Sequence, residues 1–167
     1  MEGSVGVEIA AAAPTSPDEE PAATRAPGRR QDEGVDVKYL LMIWSNPQTW
    51  GHPIFLRTPE AAAMTDDERA GLLRAFEDLM REISESGELV TAQALADPLT
   101  ARSVRVRDGE SLVTDGPFVE AKEQMAGYFV VDCATPERAE EIAGRFPDAR
   151  FAAVEVRPLM GGSAEDL

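Results

Sequence analysis

Eight residues, Val37 to Trp44 (VKYLLMIW), restrict the fold more than any other segment of the chain. In an extended backbone alternate side chains point to opposite faces, so Tyr39, Leu41 and Ile43 share one side and Leu40, Met42 and Trp44 the other. Both sides are apolar. Such a strand belongs in the middle of a sheet that is covered on both faces, because a large apolar surface left in water is costly. Ala126 to Cys133 (AGYFVVDC) repeats the pattern and predicts a second central strand.

The remaining elements arrange themselves around these two. Ser45 to Met64 carries Asn46-Pro47, Gly51, Pro53, Thr58 and Pro59, breakers that predict a long loop. Thr65 followed by Glu68 makes a capping box, and Asp66 and Asp67 suit the positive end of a helix. Leu72, Leu73, Phe76, Leu79, Met80 and Ile83 then fall on one helical face. Gly87 supplies a stop, and Glu88 to Leu95 resumes as a strand. Ala101 to Arg107 and Glu110 to Thr114 alternate around Asp108-Gly109, the signal of a tight hairpin. Thr135 and Pro136 start a second helix with inner face Ala139, Ile142, Ala143 and Phe146; Pro147 ends it, and Phe151 to Arg157 is the last strand. Strand, helix, strand, hairpin, strand, helix, strand predicts an α+β fold of ferredoxin-like type with an elaborated middle hairpin. Two helices cover one face of such a sheet. The second apolar face therefore calls for a partner, for which an identical subunit in a two-fold contact is the simplest choice.

Composition decides what surrounds this domain and what it avoids. With 167 residues and 43% apolar content the chain holds one core, over residues 37–160. Residues 1–36 are Ala-, Pro-, Gly- and charge-rich without aromatics, an acidic leader expected to be disordered and unlike a signal peptide. Residues 161–167 read as a flexible tail. The net charge is −15, every part is acidic, and no basic stripe interleaves with aromatics, so direct nucleic-acid binding is not expected. No apolar run is long enough to span a bilayer. The single cysteine, Cys133, fits a reducing cytoplasm. One His and one Cys cannot make a conventional zinc site, nucleotide-binding glycine loops and a serine-hydrolase elbow are missing, and neither metal nor cofactor is expected.

Chemistry concentrates in Leu112 to Gly127 (LVTDGPFVEAKEQMAG), where a strand delivers Asp115 into a Gly-Pro corner. Pro117 fixes its own φ and restricts Gly116, which presents the Asp115 carboxylate in a defined place beside Glu120, Lys122 and Glu123. A fixed carboxylate near a lysine serves as an anchor for a cation or donor, or as a general base if burial raises its pKa. The plainer reading makes Asp-Gly-Pro a turn and Lys122 a surface ion-pair partner. His52, the only histidine, sits in the long loop as a candidate acid or base. Trp44, Arg102, Phe118, Glu123 and Tyr128 are candidate substrate contacts, although a strand Trp or Tyr packs more often than it binds. Cys133 reads as a buried, inert thiol.

The string TDGPF with a downstream E-x-K-E-Q and G-Y, after KYLLMIW and before V-D-C and V-E-V-R-P, resembles the YCII-related proteins of the DGPF group, over about Val37 to Met160. The resemblance implies a dimeric α/β barrel and a site around Asp115. It further implies small-molecule chemistry, some YCII-like members being lyases of small aromatic compounds, and for other members an association with sigma factors. The better-studied relatives pair an Asp with a His on the first helix; Phe76 occupies that position here. Three readings stay open. One is a cofactor-free lyase- or isomerase-type enzyme with Asp115 as base or anchor, assisted by Lys122 and His52. Another is a ligand-binding or regulatory module associated with a sigma factor, and the third a dimeric structural adaptor.

Overall fold

The first central strand forms as its alternation predicts. In the computed structural model, which describes residues 37–119 and 121–160, β1 (Lys38–Ser45) pairs antiparallel with β5 (Gln124–Asp132) on one side and β6 (Val154–Pro158) on the other. β2 (Leu89–Ala94) pairs with β5, giving the order β2-β5-β1-β6. β3 (Arg102–Arg107) and β4 (Glu110–Asp115) form a separate two-stranded sheet. Among the described residues are three α-helices, a single turn, α1 (Pro59–Ala62), and two longer helices, α2 (Asp66–Glu85) and α3 (Pro136–Arg145), besides four short 3₁₀ segments. The fold is α+β, with an antiparallel four-stranded sheet in ferredoxin-like order.

The core lies where α2 and α3 meet one face of this sheet. Tyr39↔Val131 and Leu41↔Phe129 are cross-strand pairs on that face. They pack with Leu79 and Ile83 of α2, Ala139, Ile142 and Ala143 of α3, and Phe146, while Phe76, Val154 and Val156 flank the cluster. Each fully buried Leu or Ile here removes enough surface from water to contribute roughly 2 kcal/mol before entropy is charged against it. The helices start on the expected caps. Thr65 and Glu68 form the reciprocal capping box of α2, and the Thr135 side chain accepts from Arg138 N–H with Pro136 at the first position of α3. Arg138 of α3 reaches Glu82 of α2 at 3.1 Å, Glu88 just beyond α2 at 2.9 Å and Glu141 within its own helix at 2.9 Å, and Arg145 reaches Glu82 at 2.6 Å.

Two features depart from the expectations. The segment 45–64 is not a plain loop. It carries 3₁₀ turns at Pro47–Thr49 and Ile54–Leu56 and then α1, pieces too short to leave any period in the sequence. The β1–β5 pairing also shifts between Ile43 and Trp44, so that Ile43 faces Gly127 while Trp44 faces Met125, leaving the buried Ala126 as the extra residue of a bulge.

The second apolar face is less open than its residues imply. Met42 is buried, and Leu40, Trp44, Tyr128 and Val130 are partly buried. The apolar side chains most exposed to water include several on the hairpin instead: Val104 at 62%, Val106 at 69% and Val113 at 54%. The leader, residues 1–36, and the tail, residues 161–167, lie outside the described residues.

Candidate functional site

The turns of the 45–60 segment form one wall of a cavity. Asn46 caps the first turn by accepting from Gln48 N–H at 2.9 Å, and Thr58 caps α1 by accepting from Ala61 N–H at 3.1 Å. Between them Ile54 and Phe55 turn inward and are buried. The facing wall is the 3₁₀ turn Pro147–Arg150, which begins where Pro147 halts α3. A cavity of about 200 Å³ lies between, and Trp44 and Ser45 at the end of β1 and Glu123 before β5 also line it.

Asp148 belongs to that lining and is the unusual residue in it. It is 93% buried, since its relative exposure is 7%, and it is the one acidic side chain buried among the described residues. Burial pushes its pKa up to about 6, against a smaller opposing pull from its own backbone N–H and a further one from the charge of His52. Desolvation is the dominant cause because a carboxylate loses far more hydration than its protonated form when water is removed. The donor to this carboxylate is its own backbone N–H, and no buried side-chain oxygen or nitrogen among the described residues lacks a hydrogen-bond partner. A carboxyl group that changes protonation near neutral pH inside a cavity has the properties of a general acid or base. Glu60 and Glu123 line the same space but are exposed, as α1 and the approach to β5 keep their carboxylates near water.

The residues singled out from sequence divide into two groups. Trp44 and Glu123 line the cavity. His52 stands beside it: its Nε2 donates to the Leu95 carbonyl at 2.8 Å, which fixes that nitrogen as the protonated one, and its ring meets Trp50 edge-on at 6.2 Å. Asp115, Arg102 and Phe118 sit on the hairpin and are exposed. Asp115 is paired with Arg102 at 3.4 Å, and Phe118 lies under the Arg105 guanidinium at 4.6 Å. Below Asp115, Gly116 takes φ +90°, its N–H donates to Ala101 O at 2.8 Å, and Ser103 Oγ donates to its carbonyl at 3.0 Å. The Asp-Gly-Pro corner thereby closes the root of the hairpin. Tyr128 is paired with Met42 and Gln93 in the middle of the sheet. Lys122 is exposed with no ion pair among the described residues. A depression lined by Arg105, Val106, Arg107 and Phe118 also occurs on the hairpin, but it is wide open to solvent and encloses nothing.

Sequence reasoning missed Asp148 because a single turn has no period to expose its burial. The available signal was its setting, a lone acid framed by Phe146, Pro147 and Phe151. Phe76, at the position implied for the helix histidine of the better-studied relatives, joins an aromatic cluster with Phe55, Phe129 and Phe146 at centroid distances of 5.9, 6.5 and 6.2 Å. Phe55 is also a cavity residue, so the aromatic cluster backs the cavity wall.

Residues 38–161 match the family model described as the YCII-related domain. The chain belongs to the YCII-related family. Within the wider set of curated proteins it is similar to an uncharacterized protein of Rhizobium meliloti (strain 1021), at 33% identity over 100 residues, which cover 59% of this chain and 81% of that protein. The YCII-related match takes in both walls of the cavity and the hairpin alike.

Proposed function

We propose that this YCII-related domain is a small-molecule acid–base enzyme of lyase or isomerase type, working in the cavity between the 45–60 segment and the Pro147–Arg150 turn, as a homodimer. The observation that carries the reading is Asp148, a buried carboxylate whose proton equilibrium is shifted toward neutrality inside a cavity. In its ionised form Asp148 takes a proton from substrate; after transfer the neutral acid, now free of its desolvation penalty, returns it at another atom. Phe55, Trp44 and Phe151 supply apolar walls that limit water around the reacting group. His52 is held near Asp148 by the hydrogen bond from its Nε2 to Leu95 O at 2.8 Å. Asp115 acts as an anchor for the hairpin root through Arg102.

Homodimer formation is supported by the hairpin. A two-stranded sheet alone in water is marginally stable, and this one exposes Val104, Val106 and Val113 together on one face. A second reading, ligand binding without turnover, is favoured by the aromatic Phe76 standing where the relatives' imidazole is implied.

Proton abstraction has a direct signature. A panel of small enolisable carbonyl compounds, with and without an amino group, is incubated in D₂O with the full chain, and deuterium wash-in is followed by proton NMR. The enzyme reading expects exchange at one carbon of at least one compound, lost by a factor of about 10² or more in Asp148→Asn, in line with the usual contribution of a general base. Asp115→Asn is expected to stay within a few-fold of the parent. Exchange that survives Asp148→Asn and vanishes in Asp115→Asn would move the site to the hairpin corner, and binding with no exchange would favour the second reading.

A further inference from the structure

We infer that residues 46–52 form a hinged flap in the cavity wall, latched by His52 on the Leu95 carbonyl, and that release of this latch opens the cavity. This rests on the choice of that cavity as the working site and adds how it is entered.

The flap is defined by what holds its ends and by how little holds its middle. Ser45 before it is 7% exposed, Ile54 and Phe55 after it are 6% and 2% exposed, and every residue of 46–52 is half-buried or exposed. Pulling Ile54 or Phe55 out of the core carries a penalty of roughly a factor of ten or more in an equilibrium for each. The two ends therefore stay in place. Between them the hydrogen bonds are short-range: Gln48 N–H donates to Asn46 Oδ1 at 2.9 Å and Thr49 N–H to Asn46 O at 3.2 Å. Such bonds travel with the segment when it moves. Gly51, at φ +153°, supplies a joint in a conformation that other residues rarely adopt.

Among the described residues, one hydrogen bond ties 46–52 to a part of the chain distant in sequence. His52 Nε2 donates to Leu95 O at 2.8 Å, across 43 positions. The acceptor is fixed, because Leu95 follows the edge strand β2 and its own N–H donates to Ala126 O at 2.8 Å, at the bulge of β5. The donor is exposed, so water replaces the bond at little cost. A single hydrogen bond is worth a factor of about two to twelve in an equilibrium, far less than the apolar anchors on the C-terminal side of the flap. The latch is thus the weak point of this wall. Asn46, Gln48 and Thr49 line the cavity together with Asp148 and Phe151. Swinging the flap on Gly51 removes that stretch of wall while Phe55, α2 and α3 keep their packing, the kind of local opening by which lids admit ligands.

Thiol labelling of the full chain reads this opening without any ligand. Ser45 is buried and lines the cavity, so Ser45→Cys places a thiol that reagent reaches past the flap, while the native Cys133, 4% exposed in the core, reports global opening in the same sample. Iodoacetamide labelling is followed at both sites by peptide mass spectrometry. Adding His52→Ala is expected to raise the rate at position 45 about fivefold, the value of one hydrogen bond, and to leave Cys133 unchanged. His52→Gln, whose amide N–H₂ reaches toward the same carbonyl, is expected to restore the parent rate. An unchanged rate at position 45, a rise at both thiols together, or a failure of His52→Gln to restore the rate would each overturn the inference. If Ser45→Cys fails to fold, fluorine NMR of the chain carrying fluorotryptophan decides the matter, since Trp50 lies in the flap with its ring 6.2 Å from that of His52. The solvent-isotope shift of the Trp50 signal is expected to grow in His52→Ala and to keep its parent value in His52→Gln; equal shifts in all three proteins would contradict the latch. The two readings fail separately, because neither measurement needs turnover. Latch-dependent labelling without deuterium exchange keeps the flap and removes the enzyme, and exchange with labelling indifferent to His52 does the reverse.

Discussion

Asp148 and Glu82 show how the same functional group is treated in opposite ways within one domain. Glu82 is held down to about 2 by hydrogen bonds from Arg145 and then Arg138, and Glu88 is lowered chiefly by Arg138. These depressed carboxylates stabilise the fold above the ordinary carboxylate range and lose that contribution as pH falls toward their folded values. Asp148 behaves in reverse. Its folded pKa is raised to about 6, so the folded state binds more protons than the unfolded one, and stability attributable to this group falls as pH climbs from about 4 to about 6. A shift of about two units corresponds to roughly 3 kcal/mol of destabilisation at pH 7. Asp148→Asn is therefore expected to raise the melting temperature at pH 7 and to leave it nearly unchanged at pH 4, as differential scanning calorimetry would record. A variant that melts lower at both pH values would identify Asp148 as a structural cap. Retaining an unfavourable buried charge makes sense where chemistry uses it, the usual trade between stability and activity.

At the level of elements, much is legible in the sequence because each signal is local. The apolar alternation of Val37 to Trp44 marked β1, Thr65 and Glu68 marked the start of α2, and Asp108-Gly109 marked the hairpin turn, where both residues take positive φ, 52° and 84°. The cavity was not legible, because residues 44–60, Glu123 and 148–152 come together only after β1, β5 and α3 have docked. Trp44 and Glu123 were singled out as individual residues, yet nothing in their spacing ties them to Asp148. Gly127 illustrates a constraint of the same non-local kind. A Cβ there would stand 2.8 Å from the Gln93 carbonyl oxygen in β2, a backbone atom that cannot step aside. Gly127→Ala is accordingly expected to destabilise the domain by about 1–3 kcal/mol, the usual range for forced overpacking. A denaturation midpoint equal to that of the parent would show that β2 is free to move away.

The whole molecule combines a strongly acidic chain, net charge −15, with one strand, β3, that concentrates Arg102, Arg105 and Arg107. The homodimer proposed here would use the exposed valines of that strand, Val104 and Val106, as its contact. Replacing Val104 and Val106 together by Asp is expected to convert a dimer to a monomer in analytical ultracentrifugation while circular dichroism stays unchanged, since neither side chain belongs to the core. A parent protein that sediments as a monomer at 100 µM, on the order of the concentration at which even weak pairs associate, would remove the dimer from the account without touching the cavity. Function, in this account, stands or falls with the cavity carboxyl. Its most direct measurement is a carbon-13 NMR titration of the Asp148 side-chain carboxyl in the full chain. A midpoint about 6 is the expected result, and a midpoint at or below the ordinary carboxylate value near 4 would contradict the claim that the fold withholds water from this group and uses it as an acid and base.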